Sequence, residues 1–412
     1  MLYQHQRHLF FPQHYLLLLL LLKMLMTFHL NALPEDCLRL ILEKVTLMEL
    51  LSLRLVCSRW RLVIEQMCRR RRSLAVFECL QDQLEFSSMR YYFLENAAAA
   101  GEGQRARSFA AGDSVLIIGG GGVLLRHLAD LFPNVSSLLL LYSHACLTLT
   151  ERPPPPSLTS LTIVSKRRST EIAAKLWSWI DDIDRLRSLS LFGLFDNRLP
   201  LRLQALSRLE LFSLSGYSDD LVPVVGQFGP RLRHLLLDRL SLPVSRLETL
   251  LRESAQCRQW AAGVRHLSIG SLNTGMVCAK GYVEKITHFL AFFCRHFTQV
   301  TSLQVRFALQ IPLGRLVAEL GRLPALTELR LAQIGSNNPR TEPDRRTLQC
   351  LTSVRRLFLE CTTAKAAQDT FWKFWIPVIF PNLETWSLAP ECSFNGQSGS
   401  SYGRRLNHMR VQ

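Results

Sequence analysis

The sequence predicts an α/β chain in two unlike parts: a small all-helical unit near the N-terminus, then a solenoid with parallel strands on its concave face and helices outside. Three observations carry this. With 412 residues the chain is longer than one hydrophobic core supports, and its 48% hydrophobic content is that of a folded protein. Residues 31 to 72 place their apolar side chains at helical spacing. Behind them one short frame, apolar-x-x-apolar-x-apolar, returns ten times at intervals of 20 to 36 residues.

Residues 1–30 are a hydrophobic leader containing the leucine run Leu16 to Leu22. Three readings of it stay open. It is the apolar region of a signal peptide, although Lys23 interrupts it and no small-residue cleavage site follows before Leu33. It is a membrane span that takes in Lys23, at a cost of about 2.5 to 3.5 kcal/mol at mid-bilayer. Or translation begins at Met24 or Met26.

In the helical unit, residues 31–72, Leu38, Ile41, Leu42 and Val45 follow the i, i+3, i+4, i+7 spacing of one helix face. Pro34 suits a first helical position, and Glu35 and Asp36 favour the positive end of the helix dipole. A second short helix is expected around Met48 to Leu53. A third runs from Leu55 to about Arg70 with Val56, Trp60, Val63, Ile64 and Met67 on one side. Its end, Arg69 to Arg72, complements the negative pole of the dipole. About forty residues in three short helices bury too little surface to be stable alone, so a partner is expected.

Residues 73–113 read as a first strand, Leu74 to Cys79, followed by a linker without sustained period. Residues 114–390 carry the repeats. Their frames are VSSLLL from Val135, LTSLTI from Leu158, LRSLSL from Leu186, LSRLEL from Leu206, LRHLLL from Leu232, VRHLSI from Val264, VTSLQV from Val300, LTELRL from Leu326, VRRLFL from Val354 and LETWSL from Leu383. Strand alternation turns the fourth and sixth frame positions into the core and those beside them to the opposite, exposed face. Segments such as STEIAAKLWSWIDDI and GYVEKITHFLAFFCRHF, lying between frames, read as helices. One strand and one helix per unit, at this length, is the build of leucine-rich repeats. Where such repeats carry an asparagine after the strand, this chain has Leu194, Leu240, Leu272 and Ile334, so no asparagine ladder is expected. Residues 391–412, polar and glycine-rich, are expected to be disordered.

The net charge of +16 suits acidic partners, nucleic acid or an anionic membrane surface. Nucleic acid is disfavoured, because the Arg69 to Arg72 run has no aromatic side chains interleaved for base stacking. Eleven cysteines, an odd and scattered set without a C-x-x-C pair, read as reduced intracellular thiols rather than metal ligands. IIGGGGVLLRHL, Ile117 to Leu128, places glycines between a strand and a helix but matches neither phosphate-binding motif. With no H-E-x-x-H, G-x-S-x-G or clustered His/Cys set, no catalytic residue, metal or cofactor is expected.

LPEDCLRLILEKVTLMELLSLRLVCSRWRLV, Leu33 to Val63, closely resembles the F-box. The match runs without gaps through Leu33 and Pro34, Leu38, Ile41 and Leu42, Val45, Leu50, Leu53 and Arg54, Val56 and Cys57, and Trp60 with Arg61. It covers about a tenth of the chain, and the repeats behind it look like those of F-box proteins with leucine-rich repeats. The resemblance implies an F-box followed by a leucine-rich-repeat solenoid, acting as the substrate-recognition subunit of an SCF-type ubiquitin ligase in the cytoplasm, the nucleus or both. In that family the F-box binds the Skp adaptor, which joins the cullin. The repeats hold the protein to be ubiquitinated, and other subunits transfer ubiquitin. By position, Leu33, Pro34, Leu38, Ile41, Leu42, Leu50, Leu53, Val56 and Trp60 are the expected adaptor contacts or their support. His234, His266, Arg306, Arg330, Arg356 and Phe358, on exposed strand positions, are the candidate substrate residues, suited to an acidic or phosphorylated segment. The alternative is a repeat scaffold or receptor without degradative role, anchored in a membrane by the leucine run.

Overall fold

A computed structural model describes residues 32–45, 50–51, 53–77, 115–117, 128–142, 153–165, 172–193, 203–215, 222–238, 244–270, 282–305, 311, 313–334, 349–361, 370–390 and 409–410. The helical unit contributes α1 (Glu35–Leu42) and α2 (Ser58–Arg70). Two residues later the chain enters β1 (Ser73–Phe77), and β2 (Val115–Ile117) lies on its outer side. Then follow β3 (Ser137–Tyr142), β4 (Ser160–Ser165), β5 (Ser188–Gly193), β6 (Leu211–Ser215), β7 (His234–Asp238) and β8 (His266–Ile269). The series continues with β9 (Ser302–Val305), β10 (Glu328–Ile334), β11 (Arg356–Cys361), β12 (Thr385–Pro390) and β13 (Met409–Arg410). Among the described residues these strands form one 13-stranded sheet in the order β2-β1-β3-β4-β5-β6-β7-β8-β9-β10-β11-β12-β13. From β3 to β12 every strand lies beside its successor in sequence and parallel to it, as a stacked strand–helix repeat requires. Met409–Arg410, from the tail expected to be disordered, pair antiparallel with the start of β12, and the rest of 391–412 lies outside the described residues. The leucine run and the glycines after Ile118 lie outside them as well; no described helix is long and apolar enough to cross a membrane.

The alternation expected for the frame is present. Its first, fourth and sixth residues, such as Leu158, Leu161 and Ile163, are buried in one core with helix residues such as Trp177, Leu247 and Leu316. Leu211 and Leu236, at the third and fifth positions, form a separate cluster, so they occupy the face turned away from the helices.

Backbone bonds take the place of an asparagine ladder. The first residue of each frame donates its N–H to the carbonyl three residues back, as Val135 does to Phe132, Leu186 to Ile183 and Val300 to Phe297, at 3.1 Å each. The carbonyl at the second position accepts from two N–H groups of the next repeat. Thus Arg233 O receives Arg265 N (2.8 Å) and His266 N (3.0 Å), and Arg265 O receives Thr301 N and Ser302 N. These bonds satisfy groups that end-on stacking would otherwise leave unpaired.

Second-position side chains reinforce that seam. Where the residue is Thr, its hydroxyl donates to the preceding repeat's second-position carbonyl, as Thr159 does to Ser136, Thr301 to Arg265 and Thr327 to Thr301. Where it is Arg, the guanidinium reaches the carbonyl just ahead of the next frame. Arg72 bonds Asn134 O, Arg233 bonds Gly263 O, Arg265 bonds Gln299 O and Arg355 bonds Asn382 O, at 3.1 to 3.3 Å. Arg187 instead pairs with Glu210 of the next repeat. Part of the chain's positive charge is therefore structural.

This register corrects one frame. Ser188 pairs with Leu211 and Leu189 with Phe212, so the repeat begins at Leu209, as LELFSL, and not at Leu206. Leu186, Leu209 and Leu232 then stand evenly, 23 residues apart. The slip arose because the carbonyl-turn residue three places before a frame is itself apolar here, so a frame moved by three still fits. Such close spacing needs a small residue at the turn: a Cβ on Gly229 would stand 1.9 Å from the Ser207 carbonyl oxygen of the preceding repeat. Across these repeats an aromatic row fills the core, with Phe212–Phe228 at 4.9 Å, Phe228–Trp260 at 5.4 Å and Trp260–Phe297 at 5.6 Å between centroids. The last two are edge-on, the arrangement the ring quadrupole favours.

The helical unit does not stand alone, contrary to the expectation that its core is deficient without a partner. Leu38, Leu42, Leu50, Trp60, Val63 and Ile64 belong to the same continuous core as the repeats. Its coupling to them is short: Asn134 Nδ2 donates to Arg69 O at 2.8 Å, and β1 lies between β2 and β3.

Candidate functional site

Two surfaces carry side chains beyond what folding needs: the outside of the helical unit and the helix-free face of the sheet. In the helical unit, α1 begins after Pro34, whose carbonyl accepts from Leu38 N at 3.1 Å. Glu35 and Asp36 sit in its first turn, where the helix dipole favours them. Arg39 ties the two helices, pairing with Glu35 at 2.8 Å and with Gln66 of α2 at 3.3 Å, and Arg59 donates to the Leu33 carbonyl. Arg54 pairs with Glu65 at 3.9 Å. Burial pushes the Cys68 thiol up to about 11, which keeps it protonated and unreactive at neutral pH.

The nine residues expected at the adaptor surface divide. Leu38, Leu42, Leu50 and Trp60 are buried and support the unit from inside. Leu33, Leu53 and Val56 are half-buried, while Pro34 is exposed and Ile41 is 43% exposed. Three leucines that the helical periodicity passed over are more open still: Leu40 at 63%, Leu55 at 76% and Leu62 at 60%. Leu40 and Leu62 stand off the apolar stripe of their own helices, two residues from Leu38 and Leu42 and from Trp60 and Ile64. An apolar residue out of phase with its helix was the available signal. Together with Ile41 and Leu55, they are the exposed large hydrophobic residues among the described ones.

On the helix-free face, strand pairing sets side chains of equal frame position side by side. The third positions run Ser188, Leu211, His234, His266, Ser302, Glu328, Arg356, Thr385 from β5 to β12. His234 and His266 stack with centroids 4.4 Å apart and rings parallel. Burial, then His266, pushes His234 down to about 4 against a smaller opposing pull from Glu210; burial likewise lowers His266, with Glu328 opposing. Both rings are therefore neutral at physiological pH. At the seventh position Asp238 accepts from Ser215 Oγ at 3.1 Å and lies over Gly270, where a Cβ would stand 1.7 Å from its carboxylate.

Arg330, Arg356 and Phe358 come together, and Glu328, missed as a site residue, joins them. Glu328 pairs in register with Arg356, and Arg330 with Phe358. Oε1 of Glu328 receives Arg330 Nε at 3.1 Å and Oε2 receives Arg356 Nη2 at 3.2 Å. The Arg330 guanidinium lies 4.4 Å over the Phe358 ring, a cation–π contact that fixes its plane. The histidine pair stands two strands away, beyond β9, and Arg306 lies outside the described residues. Among the described residues no three His, Cys, Asp or Glu side chains gather as a metal site needs.

Comparison with known proteins bears on the first surface. Residues 30–72 match the F-box domain family model, so the helical unit is an F-box domain. No curated protein matches the chain. Among solved structures, the crystal structure of the Rad7 and Elc1 complex in yeast resembles it with a TM-score of 0.36 and 16% identity, over 68% of this chain and 77% of that one.

Proposed function

We propose that the chain is the substrate-recognition subunit of an SCF-type ubiquitin ligase. The F-box domain at residues 30–72 implies a Skp-type adaptor as its partner, and a cullin is reached through that adaptor. The solenoid, read as leucine-rich repeats, binds the protein to be ubiquitinated on its helix-free face. The chain itself carries out no transfer step.

The observation that supports this reading most is the exposure of Leu40, Ile41, Leu55 and Leu62 on the F-box domain while Leu38, Leu42 and Trp60 fill its core. Large apolar side chains left in water on so small a unit are the anchors that a helix-in-groove partner takes up. Burying one fully is worth about 1.5 to 3 kcal/mol, so the four together offset roughly the cost of association and act as anchors within a larger interface. His234, His266, Arg306, Arg330, Arg356 and Phe358 are the proposed substrate residues.

The experiment is co-purification of the full chain with a Skp-type adaptor and cullin, followed by proximity labelling with the F-box intact and disabled. Proteins that are labelled and accumulate when the F-box is disabled are the expected outcome. A folded chain that captures neither adaptor nor cullin would overturn the reading.

A further inference from the structure

The Glu328 cluster resolves the substrate class more finely than charge alone. Two guanidiniums and one carboxylate leave the cluster a charge of +1, and its in-register partners on the flanking strands are neutral: Ser302 and Gln304 on β9, Thr385 and Ser387 on β12. Glu328, with its side chain 12% exposed, is spent on orienting both arginines. Arg330 is held in plane by Phe358 with its side chain 25% exposed, whereas that of Arg356 is 55% exposed. Nε of Arg330 and one Nη of Arg356 face Glu328, so the other N–H groups of both are placed for a second acceptor. Arg330 and Arg356 stand diagonally on neighbouring strands, both tied to Glu328, so their two guanidiniums form a fork that can address the two oxygens of a carboxylate.

We propose that Glu328, Arg330, Arg356 and Phe358 form a carboxylate-binding fork that takes a glutamate or aspartate side chain of the bound protein. The inference rests on the reading of the helix-free face as the substrate surface. A carboxylate brings the cluster to neutrality. A dianionic phosphoryl group would overshoot it and meet the Glu328 carboxylate, which gives the fork a preference against phosphoserine. Arg356 closes on the ligand from the open side, and Arg330, fixed by Phe358 and Glu328, supplies the rigid half.

The test is peptide selection on the immobilised full chain, without adaptor, so that its result is independent of whether the F-box docks. Three decapeptide pools with degenerate flanks carry glutamate, phosphoserine or serine at the centre. The wild type retains the glutamate pool above the other two, and the double variant Arg330→Ala/Arg356→Ala loses that retention roughly ten- to a hundredfold. Arg356→Lys, which keeps the charge on an exposed site, loses most of it too, because an ammonium offers no fork. Glu328→Gln raises the charge to +2 and moves the preference towards phosphoserine. Equal retention of the serine pool, a wild-type preference for phosphoserine, or a double variant that binds as the wild type while keeping its thermal midpoint would each overturn the proposal.

Discussion

Arginine at the second frame position should act as a stitch between repeats, and Arg265→Ala isolates the effect. Arg265 Nη1 donates to Gln299 O at 3.1 Å and to Gln299 Oε1 at 2.7 Å, bridging the β8 repeat to the turn that opens the β9 repeat. A hydrogen bond from a charged donor is worth about 1.5 to 3 kcal/mol when shielded, but this side chain is exposed, and solvent screening reduces each bond to a fraction of that. The two bonds together should contribute about 1 to 2 kcal/mol. In a repeat domain of this length that is a fall in melting midpoint of about 2 to 8 °C, at 2 to 4 °C per kcal/mol. Thermal unfolding followed by circular dichroism reads it, with Arg231→Ala as the control for loss of one exposed positive charge in the neighbouring turn. Arg265→Lys should recover less than half, since one ammonium reaches both acceptors poorly. An Arg265→Ala midpoint equal to that of Arg231→Ala would refute the stitch.

Three further outcomes are expected. Trp260→Ala removes the centre of the aromatic row and should cost about 3 to 5 kcal/mol in urea unfolding; a loss under about 1 kcal/mol would contradict the packing. Gly229→Ala forces a Cβ against the Ser207 carbonyl, a backbone atom that cannot swing away, and should destabilise by more than about 1 kcal/mol, the opposite of the usual gain from glycine to alanine. His234 has its folded pKa depressed from 6.5 to about 4, so the unfolded chain takes up the proton first. Stability is full above about pH 6.5 and falls as the pH drops towards about 4, by roughly 1 to 2 kcal/mol after discounting for a half-exposed ring. Comparing urea midpoints at pH 7.5 and 4.5, His234→Gln should lose less on acidification than the wild type, and an equal loss would argue against the buried neutral pair.

Much of this was legible because two periodicities are simple. Period 3.6 located α1 and α2, and the alternating frame located nine strands with their inward residues and a tenth, β6, three residues too early. What the sequence concealed follows from the same periodicities. An apolar turn residue three places before a frame imitates the frame's own first position, so Leu206 passed for Leu209. In the F-box domain, apolar spacing identifies the stripe that faces inward and does not separate contacts from support, so burial alone sets Leu38, Leu42 and Trp60 apart as support. Leu40 and Leu62 break the stripe, and a residue that breaks a pattern is overlooked by a search for the pattern. Glu328 was passed over for a different reason: its role depends on Arg356, 28 residues on, standing beside it across a strand pair. The stitches made by Arg233, Arg265 and Arg355 were equally hidden, since composition counts an arginine as charge whatever its guanidinium bonds.

Adaptor docking requires that the F-box domain offer its outward leucines to the partner. Binding of a purified Skp-type adaptor to the full chain, measured by isothermal titration calorimetry, tests this with Ile41→Asp/Leu62→Asp beside the wild type. Leu38 is unsuitable, because a charge at a fully buried position would unfold the domain and mimic lost binding. The wild type should bind, and the double variant should lose on the order of a hundredfold in affinity while its melting midpoint stays unchanged. Undiminished binding by that variant, or no binding by a folded wild type, would contradict the account.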